Sequence, residues 1–272
     1  MIYFFYLITF LFGATLASFF NVLGERLPQG QGVVWARSRC PRCEHQLTWP
    51  DLIPFFSWLF LGGRCRWCRQ QISLQYLLSE IILGGIFIFI AWQSGLANFF
   101  LASGLGWPAL IDGIFLWLIA GALLAIFIAD LKYFIILDQM LWLILILTII
   151  YRTAGWLMGV VGINFLLEML LSSLVLGGLF LAVYWIGRGK WLGFGDVKLF
   201  FVAGLLLGAW SSFLMLLLAS LAGTFVGIGL IIFKGKNLKS TLPFGAFLAP
   251  AILAALLFGR PIVGWYLNLI SF

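Results

Sequence analysis

The chain has 272 residues, of which 64% are hydrophobic and 9% charged, whereas soluble domains carry roughly a quarter charged residues. Sixteen basic and nine acidic side chains with one histidine exclude a soluble globular domain, a disordered chain, collagen and a secreted disulfide scaffold. The net charge of +7 implies no nucleic-acid partner, because the Lys and Arg sit in short loops between apolar runs rather than on one basic surface.

A helix crosses the hydrocarbon layer of a lipid bilayer with about 20 apolar residues, so the pattern predicts an all-α polytopic membrane protein with eight spans, at roughly 1 to 24, 76 to 96, 109 to 131, 134 to 151, 163 to 187, 197 to 210, 212 to 233 and 244 to 267. The sixth of these is short. The first span is followed by Arg26, and no basic residue precedes it, which argues against a cleaved signal peptide despite the small residues from Ala14 to Ser18. With both termini outside, 14 of the 16 basic residues fall in inner loops and only Arg152 and Arg260 remain outside. The opposite orientation inverts that ratio, so the basic loops are assigned to the cytoplasm. No internal repeat stands out.

Between the first two spans lies the one long polar stretch, residues 25 to 75. It contains Cys40-Pro41-Arg42-Cys43 and Cys65-Arg66-Trp67-Cys68, which use all four cysteines of the chain. Two such knuckles can set four thiolates tetrahedrally around zinc. The alternatives are two disulfides or four unrelated buried thiols, and a reducing cytoplasm favours a closed, structural zinc site. A redox role lacks the βαβ pattern that would surround it. His45 is read as a solvated loop residue because four cysteines already fill a tetrahedral site, and Asp51, Pro54 and Trp58 as turn and packing residues.

Further along, the nine acids can be counted off one by one. Glu25, Glu44 and Asp51 belong to the polar loop, Glu80 begins the second span, and Asp112 and Glu168 lie near the outer surface. Asp130, Asp138 and Asp196 remain at inner ends of spans. Asp130 closes an uninterrupted apolar run, where a carboxylate is costly and points to function, unless it merely pairs with Lys132. Asp138 precedes the run from Gln139 to Ile150 and is expected to cap that helix, or to support a neighbouring acid. Asp196 follows the glycine pair of Gly193-Phe194-Gly195-Asp196-Val197-Lys198. Those glycines permit positive φ and close backbone approach, although a plain turn with an N-cap Asp would look the same.

Asp130 and Asp196 lie on different spans, yet the topology brings both to one membrane surface. Two carboxylates that share a proton can activate water and protonate a carbonyl oxygen. No HExxH, GxSxG or nucleotide-binding loop is present, so zinc hydrolysis, a serine triad and ATP-driven transport lack their groups. A transporter or ion pathway with the two aspartates as relay groups is the alternative, and would require discontinuous helices. A scaffold that docks secretion components through its cysteine loop is a third.

These residues, taken in order, resemble the bacterial type IV prepilin peptidases. The likeness runs through Ser18-Phe19-Phe20-Asn21-Val22 with Arg26-Leu27-Pro28, then Cys40 to Cys43, Ile53-Pro54, Ser57-Trp58-Leu59 and Gly63 to Cys68. It continues through Ile72-Ser73, Tyr76 to Glu80, Asp130 to Asp138 and Gly193 to Lys198. The resemblance implies a first transmembrane helix at 1–24, a cytoplasmic zinc-binding loop domain at 25–75 and a transmembrane aspartic peptidase domain at 76–272. It also implies an inner-membrane enzyme with Asp130 and Asp196 as catalytic dyad, supported by Gly193, Gly195, Lys198 and Asp138, and with zinc on Cys40, Cys43, Cys65 and Cys68. The implied substrate is a type IV prepilin or pseudopilin precursor, cut after glycine, whose new N-terminus is methylated from S-adenosylmethionine. Leu137 and Leu77 stand where the family usually has proline. No sequence feature marks where S-adenosylmethionine binds.

Overall fold

The computed structural model describes residues 1–33, 37–40, 42–97, 107–234 and 242–270. Among the described residues the protein is all α, with two short 3-10 turns and two isolated β-bridges. In chain order the helices are α1 (Ile2–Arg26), α2 (Phe56–Phe60), α3 (Leu74–Gln93), α4 (Trp107–Tyr133), α5 (Asp138–Leu157), α6 (Ile163–Ile186), α7 (Phe194–Leu207), α8 (Ala209–Lys234) and α9 (Gly245–Ile270). All but α2 and α7 are long and apolar enough to cross a membrane, giving seven crossing helices among the described residues against eight expected spans.

The difference lies at the sixth expected span, 197 to 210. It forms α7, whose 14 residues rise only about 21 Å, short of a hydrocarbon layer about 30 Å thick. The helix stops at Gly208, which adopts φ 75° and an extended ψ before α8 begins. Lys236, Lys239 and Pro41 lie outside the described residues.

Cα proximity groups the chain into two units, residues 1–125 and 126–272. In the first, α1 packs on α3. Lipid offers no hydrophobic drive for helices to associate, so such contacts depend on small residues and polar bonds. Gly13, Ala14 and Ala17 are buried in α1, and Asn21 donates to Ser79 Oγ at 2.5 Å and to its own helix at Ala17 O. Phe87 stacks parallel on Trp117 with centroids 4.9 Å apart, and the indole N–H donates to Phe87 O at 3.2 Å.

In the second unit α7 touches α5, α6, α8 and α9. Half of its residues are buried, from Val197 through Leu206, so it is a core helix that needs no lipid contact to be satisfied. A Cβ at Gly204 would lie 2.6 Å from Ser173 Cα, so glycine is what lets α6 and α7 close, and the Ser173 hydroxyl then donates to Phe201 O at 2.7 Å. At the other end, the Arg152 guanidinium donates to Leu206 O at 3.2 Å. It places a cation on the negative end of a short helix.

Candidate active site and metal centre

Asp130 sits in the last turn of α4 with only 5% of its surface exposed. Its Oδ2 accepts the Ala246 N–H at 2.7 Å, a donor that the first turn of α9 leaves without an intrahelical partner. A Cβ on Gly245 would stand 3.0 Å from Asp130 Oδ2 and 3.0 Å from Ile136 Cδ1. Glycine there lets the start of α9 lie directly on the carboxylate. Neither Gly245 nor Ala246 is singled out by the sequence, although Pro243-Phe244-Gly245 at the head of an apolar run is a helix-start signal.

Asp196 is the third residue of α7 and not its cap: Gly193 holds the N-cap position and donates its N–H to Asp196 Oδ2 at 3.2 Å. Gly193 has φ −74°, and Gly195 is not among the residues of positive φ. The glycine pair therefore serves close approach, not left-handed backbone. At Gly195 a Cβ would be 3.0 Å from Ile136 Cβ. Ile136 thus wedges between Gly195 and Gly245, and joins the helix ends that carry the two acids. Through Ile136, the residue next to Asp196 and the residue that lies on the Asp130 carboxylate share one neighbour, which brings the two acids to the same end of the second unit.

Asp138 departs from expectation as well. Leu137 is the N-cap of α5, without a side-chain capping bond, and the Asp138 carboxylate instead receives Lys198 Nζ at 2.7 and 2.9 Å. Lys198 Nζ also lies 5.3 Å from the centre of the Phe194 ring. The pair ties the start of α5 to the helix turn that carries Asp196, two residues before the lysine.

In the first unit the four cysteine thiols are unbridged, and their Sγ atoms all lie within 4.8 Å of one another. Cys40 and Cys68 Sγ are 3.7 Å apart. The cluster can hold one metal ion. Its two knuckles are an eight-residue repeat that the sequence alone does not make evident. Arg39 bridges to Gln46 as Arg64 does to Gln71, Cys40 N donates to His45 O as Cys65 N does to Gln70 O, and Glu44 and Arg69 both adopt positive φ. The backbone N–H groups of Cys43 and Arg42 pull the Cys40 thiol down to about 6 against the opposing effect of burial, which favours the metal-binding thiolate. His45 is exposed and stacks on Trp67 with centroids 3.8 Å apart, and Asp51 pairs with Arg66 at 2.9 Å and accepts the Thr48 hydroxyl at 2.6 Å.

Fold and sites define a class: a polytopic α-helical membrane protein with four thiols placed to hold one metal ion and two carboxylates at helix ends. Residues 11–94 match the Bacterial Peptidase A24 N-terminal domain, and residues 117–228 match the Type IV leader peptidase family. The chain is 31% identical to the prepilin leader peptidase/N-methyltransferase of Aeromonas hydrophila, across 96% of this chain and 93% of that protein. It is 31% identical to that of Stutzerimonas stutzeri across 97% and 94%, and 30% identical to that of Pseudomonas aeruginosa across 98% and 95%. No solved structure matches it. The chain belongs to the type IV leader peptidase family and is a membrane-embedded peptidase. The break at Gly208 is the kind of interruption a transport pathway would use, but family membership decides for the peptidase.

Proposed function

We propose that the protein removes the leader from type IV prepilin or pseudopilin precursors with Asp130 and Asp196 as its acid–base pair, and then N-methylates the new terminus with S-adenosylmethionine as donor. The observation that carries the peptidase reading is the pair itself: a buried carboxylate at the end of α4 and a second at the head of α7, joined through the contacts of Ile136 with Gly195 and Gly245. Such a pair works with one carboxyl protonated and its neighbour ionised, a division that repulsion between neighbouring like charges favours. The ionised member takes a proton from water as the water oxygen attacks the scissile carbonyl. The protonated member gives its proton to the carbonyl oxygen; the first member then passes the proton it took from water to the departing nitrogen while the second takes one back from a hydroxyl of the tetrahedral intermediate, which collapses with release of the amine. No metal enters these steps.

The supporting residues follow from their contacts. Gly193 and Gly195 allow the head of α7 to approach Ile136 and fold back on Asp196, Gly245 does the same for Asp130, and the Asp138–Lys198 pair fixes the turn from which Asp196 projects. In the cysteine loop the ion is zinc: four thiolates at about 2.3 Å form a tetrahedron with edges of about 3.8 Å, which the 3.7 Å between Cys40 and Cys68 matches. Four thiolates leave no open coordination position, so the metal holds the two knuckles together. The basic-loop asymmetry supports a cytoplasmic cysteine loop and carboxylate pair in the inner membrane, with both termini outside. Residues 1–24 are then the first transmembrane helix, 25–75 the zinc-binding loop domain and 76–272 the peptidase domain.

The test is incubation of the purified chain in detergent with a pilin-type precursor, followed by mass analysis. The leader-shortened product is expected, with one added methyl mass only when S-adenosylmethionine is supplied. An uncut precursor in the presence of active wild-type protein from a relative would overturn the reading.

A further inference from the structure

Between the two cysteine knuckles the chain exposes apolar surface of a kind that a solvent-facing loop rarely carries. Trp49 is 78% and Phe60 85% exposed, and Leu52, Ile53, Phe56 and Leu59 are exposed with them, whereas the first knuckle presents Arg42, Glu44 and Gln46. Phe56, Leu59 and Phe60 fall at i, i+3 and i+4 on one face of α2, with the rings of Phe56 and Phe60 stacked. The other face turns inward, where the ring of half-buried Trp58 lies on Gly63. The backbone tether of this segment sets its depth. Phe55 N–H donates to Glu80 Oε2 at 2.7 Å. Glu80 lies about 9 Å along the axis of α3 from Leu74, at 1.5 Å per residue, and Leu78 and Ile82 on either side of it are more than half exposed, as the lipid-facing residues of a crossing helix are. The segment is therefore held beside the first two turns of α3 and not out in the solvent.

We propose that residues 49–60 are an interfacial anchor, seated in the leaflet beside the cysteine loop with anionic phospholipid as its partner. A segment inserted in this way buries its apolar face about 5–10 Å into the boundary between headgroups and acyl chains, the depth that the Phe55–Glu80 bond sets. Trp49 at the head of the segment and the paired rings at its end suit that boundary, where aromatic side chains collect. Charge completes the match. Residues 25–75 carry seven arginines against three acids. Arg64 is exposed shortly after Phe60 in the chain, and half-exposed Arg66 pairs with Asp51 in the same turn as Trp49. Guanidinium groups in these places meet headgroup phosphates. Cys43 and Cys65 bracket the segment and belong to one thiol cluster, which closes it into a loop and presents the apolar face preformed. A second copy of the chain, or a peptide, would have to displace lipid at this depth to reach the same side chains.

Photo-crosslinking of the full chain, in vesicles of equal phosphatidylglycerol and phosphatidylcholine, tests the anchor. The photoreactive residue p-benzoylphenylalanine replaces Trp49 or Phe60 in turn. Phe225, exposed midway along α8, is the lipid-facing reference, and Gln46, exposed in the first knuckle, is the solvent-facing one. All four positions are exposed, so the packing is kept, and an unchanged Tm verifies it. Phospholipid adducts are expected at positions 49 and 60 in yields close to that at 225, with almost none at 46. Phosphatidylglycerol is expected to dominate the adducts at position 60, and Arg64→Gln to lower its excess about fivefold at low salt, as loss of one cation near an anionic surface implies. Adducts at 49 and 60 as rare as at 46, or formed with a second chain in place of lipid, overturn the anchor. Equal adducts of the two lipids with Arg64 in place overturn the anionic partner.

Discussion

Gly245→Ala puts the contact between α9 and the Asp130 carboxylate under direct strain. The added Cβ would meet Asp130 Oδ2 at 3.0 Å, Asp130 Cγ at 3.1 Å and Ile136 Cδ1 at 3.0 Å. Asp130 cannot retreat without lengthening its 2.7 Å bond to Ala246 N, and Ile136 is backed by Gly195, where the same kind of close approach exists. Overpacking of this kind costs about 1–3 kcal/mol, and a hydrogen bond to a charged group contributes about 1.5–3 kcal/mol. If only the lower end of either range falls on the positioned carboxylate, the rate drops about tenfold, and misplacement approaching 1 Å costs about a hundredfold. Initial rates of leader release, read by mass at saturating precursor, should show the loss in kcat with little change in KM, because the residue orients a reacting group without gripping the substrate. Gly264→Ala, on the same helix with nothing within 4 Å of its Cβ position, is the matched control and should leave the rate unchanged. Wild-type kcat in Gly245→Ala would refute the packing argument.

Other outcomes follow from the same geometry. Lys198→Met and Asp138→Asn should each lower kcat, and the double variant should be no worse than either, since they act as one contact; the pair is partly exposed, so the Tm should barely move. Arg152→Met should remove the cation from the end of α7 and lower the Tm by a few degrees, as expected for loss of about 1.5–3 kcal/mol, which thermal unfolding in detergent would register. Cys40→Ser combined with Cys43→Ser should reduce bound metal from one ion per chain to near zero by elemental analysis, and unchanged metal content would place the ion elsewhere.

What the sequence makes legible is what is local in the chain. The crossing helices are long apolar runs, the cysteines announce themselves by spacing, and with nine acids in 272 residues Asp130 and Asp196 stand out by scarcity. Tertiary arrangement decides the rest. The hydropathy of α7 matches that of a crossing helix, and only its burial among four neighbours explains why 14 residues suffice. Asp138 reads as a cap because it precedes an apolar run, whereas its partner Lys198 is 60 positions away. Gly245 and Ala246 contact Asp130 across 116 positions, and no local pattern encodes that meeting. The glycines before Asp196 were legible as glycines, but their purpose, room for Ile136, required the neighbouring backbone.

The central claim is that Asp130 and Asp196 work as one acid–base pair, and single-turnover cleavage by Asp130→Asn, Asp196→Asn and the double variant tests it most directly. Residues that act as a unit are strongly non-additive. The pair predicts that each single variant loses nearly all leader cleavage while remaining folded, and that the double variant is no slower than either. Cleavage at the wild-type rate in one single variant, or losses that multiply in the double variant, would contradict it.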